Sequence, residues 1–293
     1  MPSIAVCLTC YNRCETTLRC LRGLTSAQLP NDFSLRVYLT DDASADGTAE
    51  AVRRDFPDVV LLNGDGSLYW GGGMRLAFGT AMAAGHDFYL WLNDDVELFP
   101  DVLVRLVEVY RAVNGGGKHL TLIVGATCEP GTEILTYSGV NRSGISPIKF
   151  VKVPPHPTKP VECVTMNGNV VLIPAGVASA VGNVDQRFTH AIGDFDYGLR
   201  AKLHGAKLWI CPGFVGTCKQ NAREARWESS RYSLRERIKH LSSPLGLPFG
   251  GFITFAYRHG GARGVFFALW GYRRVLLPAY RPSSHVEAKR NLA

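Results

Sequence analysis

No stretch of the 293 residues is apolar for long enough to make a membrane-spanning helix; the longest hydrophobic runs are strand-sized or broken by glycine and charge. A basic leader is also missing. Met1-Pro2-Ser3-Ile4 runs straight into a strand-like segment, which sets a cytoplasmic location as the expectation. There is no internal repeat and no low-complexity segment. An excess of positive charge is absent from residues 1–225, where 20 Lys and Arg face 22 Asp and Glu, so this part gives no electrostatic reason to bind nucleic acid. No Gly-Lys-Ser/Thr follows the glycine-rich stretch at 64–75, and no G-x-G-x-x-G follows the first strand, which excludes a Walker loop and a dinucleotide fingerprint.

Cysteine is not scarce, but its spacing is uninformative. Cys7, Cys10, Cys14 and Cys20 are separated by two, three and five residues, which is no regular zinc pattern, and Cys7 sits inside the apolar run Ile4–Leu8. Structural thiols are the expectation, and without a secretory signal a disulfide framework is not.

With 46% hydrophobic and 19% charged residues the chain has ordinary globular usage, so wholesale disorder is excluded. Apolar runs at 4–9, 35–40, 59–62, 88–92 and 120–125 read as strands. Helical spacing fills 16–27, 46–55, 73–84 and 100–113 between them. This alternation predicts a mostly parallel sheet flanked by helices. Residues 126–165 are rich in turn formers, then 170–173 and 208–211 read as strands and 194–204 as a helix. From about Glu224 the chain becomes helical and basic; residues 226–293 carry 12 Lys and Arg against 3 Asp and Glu. The expected organisation is one domain over 1–223, whose character changes near residue 125. A basic aromatic helical extension follows over 224–293.

In an open α/β sheet, ligands gather at the carboxyl ends of the strands. Asp41-Asp42, Asn93-Asp94-Asp95 and Asp194-Phe195-Asp196 all fall at strand ends or helix starts. Any one of them reads equally as a turn or a cap. Three together point to carboxylates gathered at one site, where a divalent cation would offset their repulsion.

Thr9-Cys10-Tyr11-Asn12-Arg13 resembles the T-x-Y-N-R opening of family 2 glycosyltransferases, and Asp41 to Thr48 resembles their D-x-x-S-x-D-G-T segment. Trp91 to Val96 is similar to their L-N-x-D form of the DxD motif, and Gly193 to Arg200 to their E-D-x-D-x-x-x-R segment. The four motifs keep the family's order and cover about residues 3–220.

The resemblance implies a GT-A fold, with a nucleotide-binding half to about 125 and an acceptor half over 126–223, and an EC 2.4 enzyme of hexosyltransferase type. It would invert the anomeric centre in moving a sugar from a nucleoside diphosphate, UDP or dTDP ahead of GDP, to a saccharide or lipid-linked acceptor. The setting it implies is bacterial surface-polysaccharide synthesis of a rhamnosyltransferase-like kind, with a place at the cytoplasmic face of the inner membrane. It also implies roles. Thr9, Tyr11, Arg13, Asp41, Asp42, Asp94 and Arg75 fall at the donor, Arg75 being otherwise a plain surface arginine. Asp95 falls at Mg²⁺ or Mn²⁺, Asp194 acts as general base, and Asn167 and Asn169 face the acceptor or form a turn. Asp196 is assigned to the acceptor side or to an i+4 pair with Arg200.

Two positions depart from the family. Gly193 stands where a Glu is usual, and Cys218 where many relatives have a metal-binding His, a soft ligand poorly suited to Mg²⁺. The tail over 247–280 interleaves aromatics with arginines, and reads either as an interfacial segment for an anionic membrane or as a packed appendage. The alternatives are a sugar nucleotidyltransferase, which the glycine-free first loop disfavours, and a non-catalytic saccharide-binding relative.

Overall fold

The computed structural model describes residues 1–117, 119–220 and 226–277. They fall into two compact units, one comprising residues 1–144 and 149–221, the other 145–148 and the chain from 222 onward.

The first unit opens with β1 (Ser3–Cys10), α1 (Cys14–Ser26), β2 (Ser34–Asp41), α2 (Thr48–Asp55), β3 (Val60–Asn63), α3 (Tyr69–Ala84) and β4 (Phe88–Leu92). β1 lies between β2 and β4, parallel to both, and β3 lies parallel beside β2. The short β5 (Glu97–Leu98) and α4 (Val102–Val113) follow, then β6 (Thr121–Cys128). The turn-rich region forms β7 (Leu135–Tyr137), β8 (Gly139–Arg142), β9 (Phe150–Lys152), β10 (Val161–Cys163) and β11 (Thr165–Met166). β12 (Val170–Pro174), α5 (Ala175–Val181), α6 (Gly193–Leu203) and β13 (Lys207–Thr217) complete the unit.

The large sheet has the order β10-β13-β6-β12-β4-β1-β2-β3, and β8, β9 and β11 form a small second sheet. The sheet is mixed, with mostly parallel strands flanked by helices as the alternation predicts. β12 is inserted antiparallel between β4 and β6. All five of its residues are buried. A strand so apolar is stable only where both faces are covered, in the middle of the sheet.

The period-two alternation of β1 divides the core. Ile4, Val6 and Leu8 face one side with Leu18, Leu21 and Leu24 of α1 and Leu103 and Leu106 of α4. Ala5 and Cys7 face the other with Met74 and Phe78 of α3 and Ala201 of α6. Phe78, Trp91 and Tyr197 form a ring cluster at centroid distances of 4.6 to 6.0 Å. All eight cysteines are free thiols.

The second unit contains a 3-10 turn at Arg226–Glu228, α7 (Leu234–Ser242) and α8 (Phe249–Leu276), the last interrupted at Gly261. Ser233 caps α7 with a reciprocal Ser–Glu236 box. The boundary expected near Glu224 and the tail's last aromatic, Tyr280, lie outside the described residues. No described helix is long and apolar enough to cross a membrane.

Candidate active site

Strand direction gathers the acidic motifs. β1, β2 and β4 are parallel, so the loops after Cys10, Asp41 and Leu92 leave the same edge. β12 runs the other way, with Val170 opposite Leu92, which brings the 167–169 turn in at that edge. β13 is parallel to β6 and delivers Cys218 to the same edge. Asn93 N–H donates to Asn169 O at 3.0 Å, joining two of these loops.

The residues assigned to the donor divide into those that face outward and those that hold the loops. Tyr11 and Arg13 are exposed at the end of β1. Thr9 packs so closely under α3 that a Cβ on Gly73 would lie within 2.7 Å of its Cβ. Only a residue without a side chain lets helix and strand approach this far. Asp41 is buried, and its Oδ1 accepts from Ser44 N–H at 3.1 Å. Asp42 is buried too and clasps the glycine-rich loop, accepting from Gly66 N at 2.8 Å, Leu68 N at 3.3 Å and Tyr69 N at 2.9 Å. Arg75 is partly buried in the second turn of α3, and its Nη1 has no hydrogen-bond partner among the described residues.

Asp94 and Asp95 share one cation. Arg13 Nη1 lies 3.2 Å from Asp94 Oδ1 and 3.1 Å from Asp95 Oδ2. Thr17 Oγ1 donates to Asp94 Oδ2 at 3.3 Å, and the Cys218 thiol to Asp95 Oδ1 at 3.5 Å. Burial raises the Asp94 pKa to about 6, with Arg13 opposing the rise. Burial and the Asp95 carboxylate push the Cys218 thiol up, so it stays a neutral S–H donor. Asn169 is buried and donates to Cys218 Sγ at 3.8 Å, while Asn167 bonds with Ser138 in the adjoining turn.

Asp194 opens α6. Its Oδ2 accepts from Gly168 N at 2.9 Å and its Oδ1 from Phe195 N at 2.8 Å. Burial pushes its pKa up to about 6 against those donors. Asp196 points the other way: it is fully buried and pairs with Arg200 Nε at 2.8 Å. The structure therefore brings Asp41, Asp94, Asp95 and Asp194 to one sheet edge and takes Asp196 into the core.

Backbone strain marks the same edge. Asn12, Ala43, Tyr69 and Ile192 all have left-handed φ, between 51° and 61°. For branched Ile192, two residues before Asp194, that conformation is a true outlier. Sequence reasoning gave no role of their own to three supporting residues, Thr17, Asn93 and Trp70. Asn93 stood inside the L-N-x-D segment and Trp70 is a tryptophan among glycines, whereas Thr17 carried no signal.

Such an edge, with acidic strand ends around a helix start and a glycine-rich loop, is where an open α/β sheet gathers a ligand. Residues 5–115, which run from β1 through α4, match the family model described as Glycosyl transferase family 2. That segment is similar to family 2 glycosyltransferases, and the mixed α/β sheet is consistent with the GT-A arrangement. Such enzymes take nucleotide-sugar donors and an acceptor, and often use a divalent cation. No curated protein matches the chain. Asp194 and Cys218 lie beyond the matched segment.

The donor set offers a cation a partial fit. Asp95 and Asp94 supply hard carboxylate oxygens of the right chemistry for Mg²⁺ or Mn²⁺. Arg13 already neutralises the pair, and the remaining neighbour, Cys218, is soft. Among the described residues no group of three His, Cys, Asp or Glu side chains gathers for a metal ion.

Proposed function

We propose that this protein transfers a sugar, with inversion, from a nucleoside diphosphate to a saccharide or lipid-linked acceptor, with Asp194 as general base. The observation that carries the reading is the meeting of Asp41, the Asp94–Asp95 pair and Asp194 at one sheet edge. Asp194 there is half-buried and held by two backbone N–H groups. Both oxygens retain a lone pair for an incoming hydroxyl. A carboxylate raised to about 6 is ionised at neutral pH and is a stronger base than an ordinary aspartate.

Tyr11 offers an exposed ring to the base of the donor, and Asp41 lies behind it at the end of β2. UDP and dTDP are the favoured nucleotides. The Asp42 clasp holds the loop in front of α3, and Arg75 of that helix faces the diphosphate. Arg13 and Asp94 stand at the ribose and phosphate side. Asn167 and Asn169 lie in the turn beside Asp194, on the acceptor side. Asp95, with Asp94, would hold Mg²⁺ or Mn²⁺, and a cation there would offset charge on the leaving diphosphate. Asp95→Ala is expected to abolish the extra thermal stabilisation that Mn²⁺ adds to a nucleotide-sugar complex. Full activity in the presence of a chelator would refute the metal assignment.

An anionic membrane surface is the proposed partner of the tail. Phe266, Leu269, Trp270 and Arg273 are exposed and spaced to share one face of α8, with the Arg273 guanidinium 3.7 Å above the Trp270 ring. The Phe266→Ser/Trp270→Ser variant is expected to lose most co-sedimentation with phosphatidylglycerol vesicles at low salt. Undiminished sedimentation would favour the packed appendage.

A further inference from the structure

Trp70 has no part in the chemistry above, yet it touches both sides of the site. Its indole N–H donates to Asn93 Oδ1 at 2.8 Å, which ties it to the loop carrying Asp94 and Asp95. Its ring lies against the 167–169 turn so closely that a Cβ on Gly168 would stand 2.6 Å from Cζ2 and 3.0 Å from Cη2. That same Cβ would be 3.2 Å from the Asp194 Cβ, and one on Gly193 would be 3.6 Å from Trp70 Cζ3. On the core side the ring stands edge-on to the buried Trp91, at 5.9 Å and 79°. Trp70 is thus braced against the core and abuts the two glycines nearest Asp194, one next to it in sequence and one that donates to it.

We propose that Trp70 is a positioning residue for transfer: its ring is the apolar wall that keeps water from the Asp194 carboxylate and fixes the turn whose N–H holds Asp194 Oδ2. The proposal rests on Asp194 being the base, because only there does the wall have a catalytic consequence. A carboxylate deprived of water is harder to ionise and takes a proton more readily. The raised pKa of Asp194 agrees, since burial is its largest influence and the others are backbone N–H groups. The titratable groups on the surrounding elements are His190 on the incoming loop, Arg75 on α3, Asp94 and Asp95 after β4, and Asp196 on α6 itself. Asp94 and Asp95 are held by Arg13, and Asp196 by Arg200.

The test needs no substrate. Carboxyl ¹³C NMR of aspartate-labelled protein follows the ionisation directly, with the Asp194 signal assigned by its loss in Asp194→Asn. The wild-type midpoint is expected near 6. Trp70→Ala admits water and is expected to lower it by about one unit, whereas Trp70→Phe keeps an apolar wall and is expected to leave it in place. Should Trp70→Ala not fold, Trp70→Gln sets a hydrated amide at the same point and carries the same expectation. An Asp194 midpoint unmoved in the Ala or Gln variant overturns the proposal. The titration is independent of turnover, so a failure here is distinct from a failure of the base assignment, which would appear as an active Asp194→Asn enzyme.

Discussion

Asp194→Asn is expected to lower kcat by roughly 10²- to 10⁴-fold, the usual contribution of a positioned general base. Donor affinity is expected to stay within about threefold, because both carboxylate oxygens are engaged by the 168 and 195 N–H groups rather than by residues assigned to the donor. An amide of the same shape keeps the Phe195 N–H bond through its oxygen, while its NH₂ group meets the Gly168 N–H or turns away, so the fold survives and the proton acceptor is lost. The measurement is kcat from initial rates beside donor Kd from calorimetry. A panel of UDP-, dTDP- and GDP-sugars, tried first for thermal stabilisation with and without Mn²⁺, identifies the donor. Loss of donor binding in place of kcat would remove Asp194 from the base role. The pH dependence has a definite sign. The base works only when ionised, so in wild type kcat/KM climbs through about pH 6 and at pH 5 is near a tenth of its plateau.

Asp196→Ala is expected to act on stability. Asp196 is fully buried, and its partner Arg200 is mostly buried. Removing the carboxylate strands a guanidinium inside the protein, which typically costs about 3–5 kcal/mol. Arg200 also donates to Val181 O at 2.6 Å and Asn183 O at 2.8 Å, so the pair fastens α6 to the end of α5. Urea unfolding should show a lower midpoint at an unchanged slope. A loss under about 1 kcal/mol would mean that the two carbonyls hold Arg200 unaided. A variant as stable as wild type but with a raised acceptor KM would return Asp196 to the acceptor side.

The strands of the first half were legible because apolar runs of four to eight residues, bounded by turn formers, have few other readings. Phe88–Leu92 agrees with the observed β4 at both ends. The start of α3 was not legible. Gly71-Gly72-Gly73 reads as loop, yet the helix begins at Tyr69. It is held there by contacts from far along the chain: Asp42 accepting from Tyr69 N, Gly71 N donating to Thr189 O, and Gly73 packed on Thr9. Helix propensity is overridden by packing. The place of β12 was hidden for the same reason, since strand order is a tertiary property that periodicity does not encode. In the site, residue types and spacing marked the carboxylates. They could not distinguish Asp41, at the strand end, from Asp42, whose oxygens are spent on the loop. Nor could they pair Arg13 with Asp94 and Asp95, a contact 81 residues long.

The antiparallel β12 has a consequence for biosynthesis. β4 is flanked by β1 on one side and by β12 on the other. A fragment ending at residue 115, where the family match stops, would leave Phe88–Leu92 with an open ladder of unpaired amides on a strand of greasy side chains. Such an edge recruits copies of itself. The nascent chain carries that hazard until Pro174 has been made, so chaperone dependence and inclusion-body formation should both follow truncation between those two points.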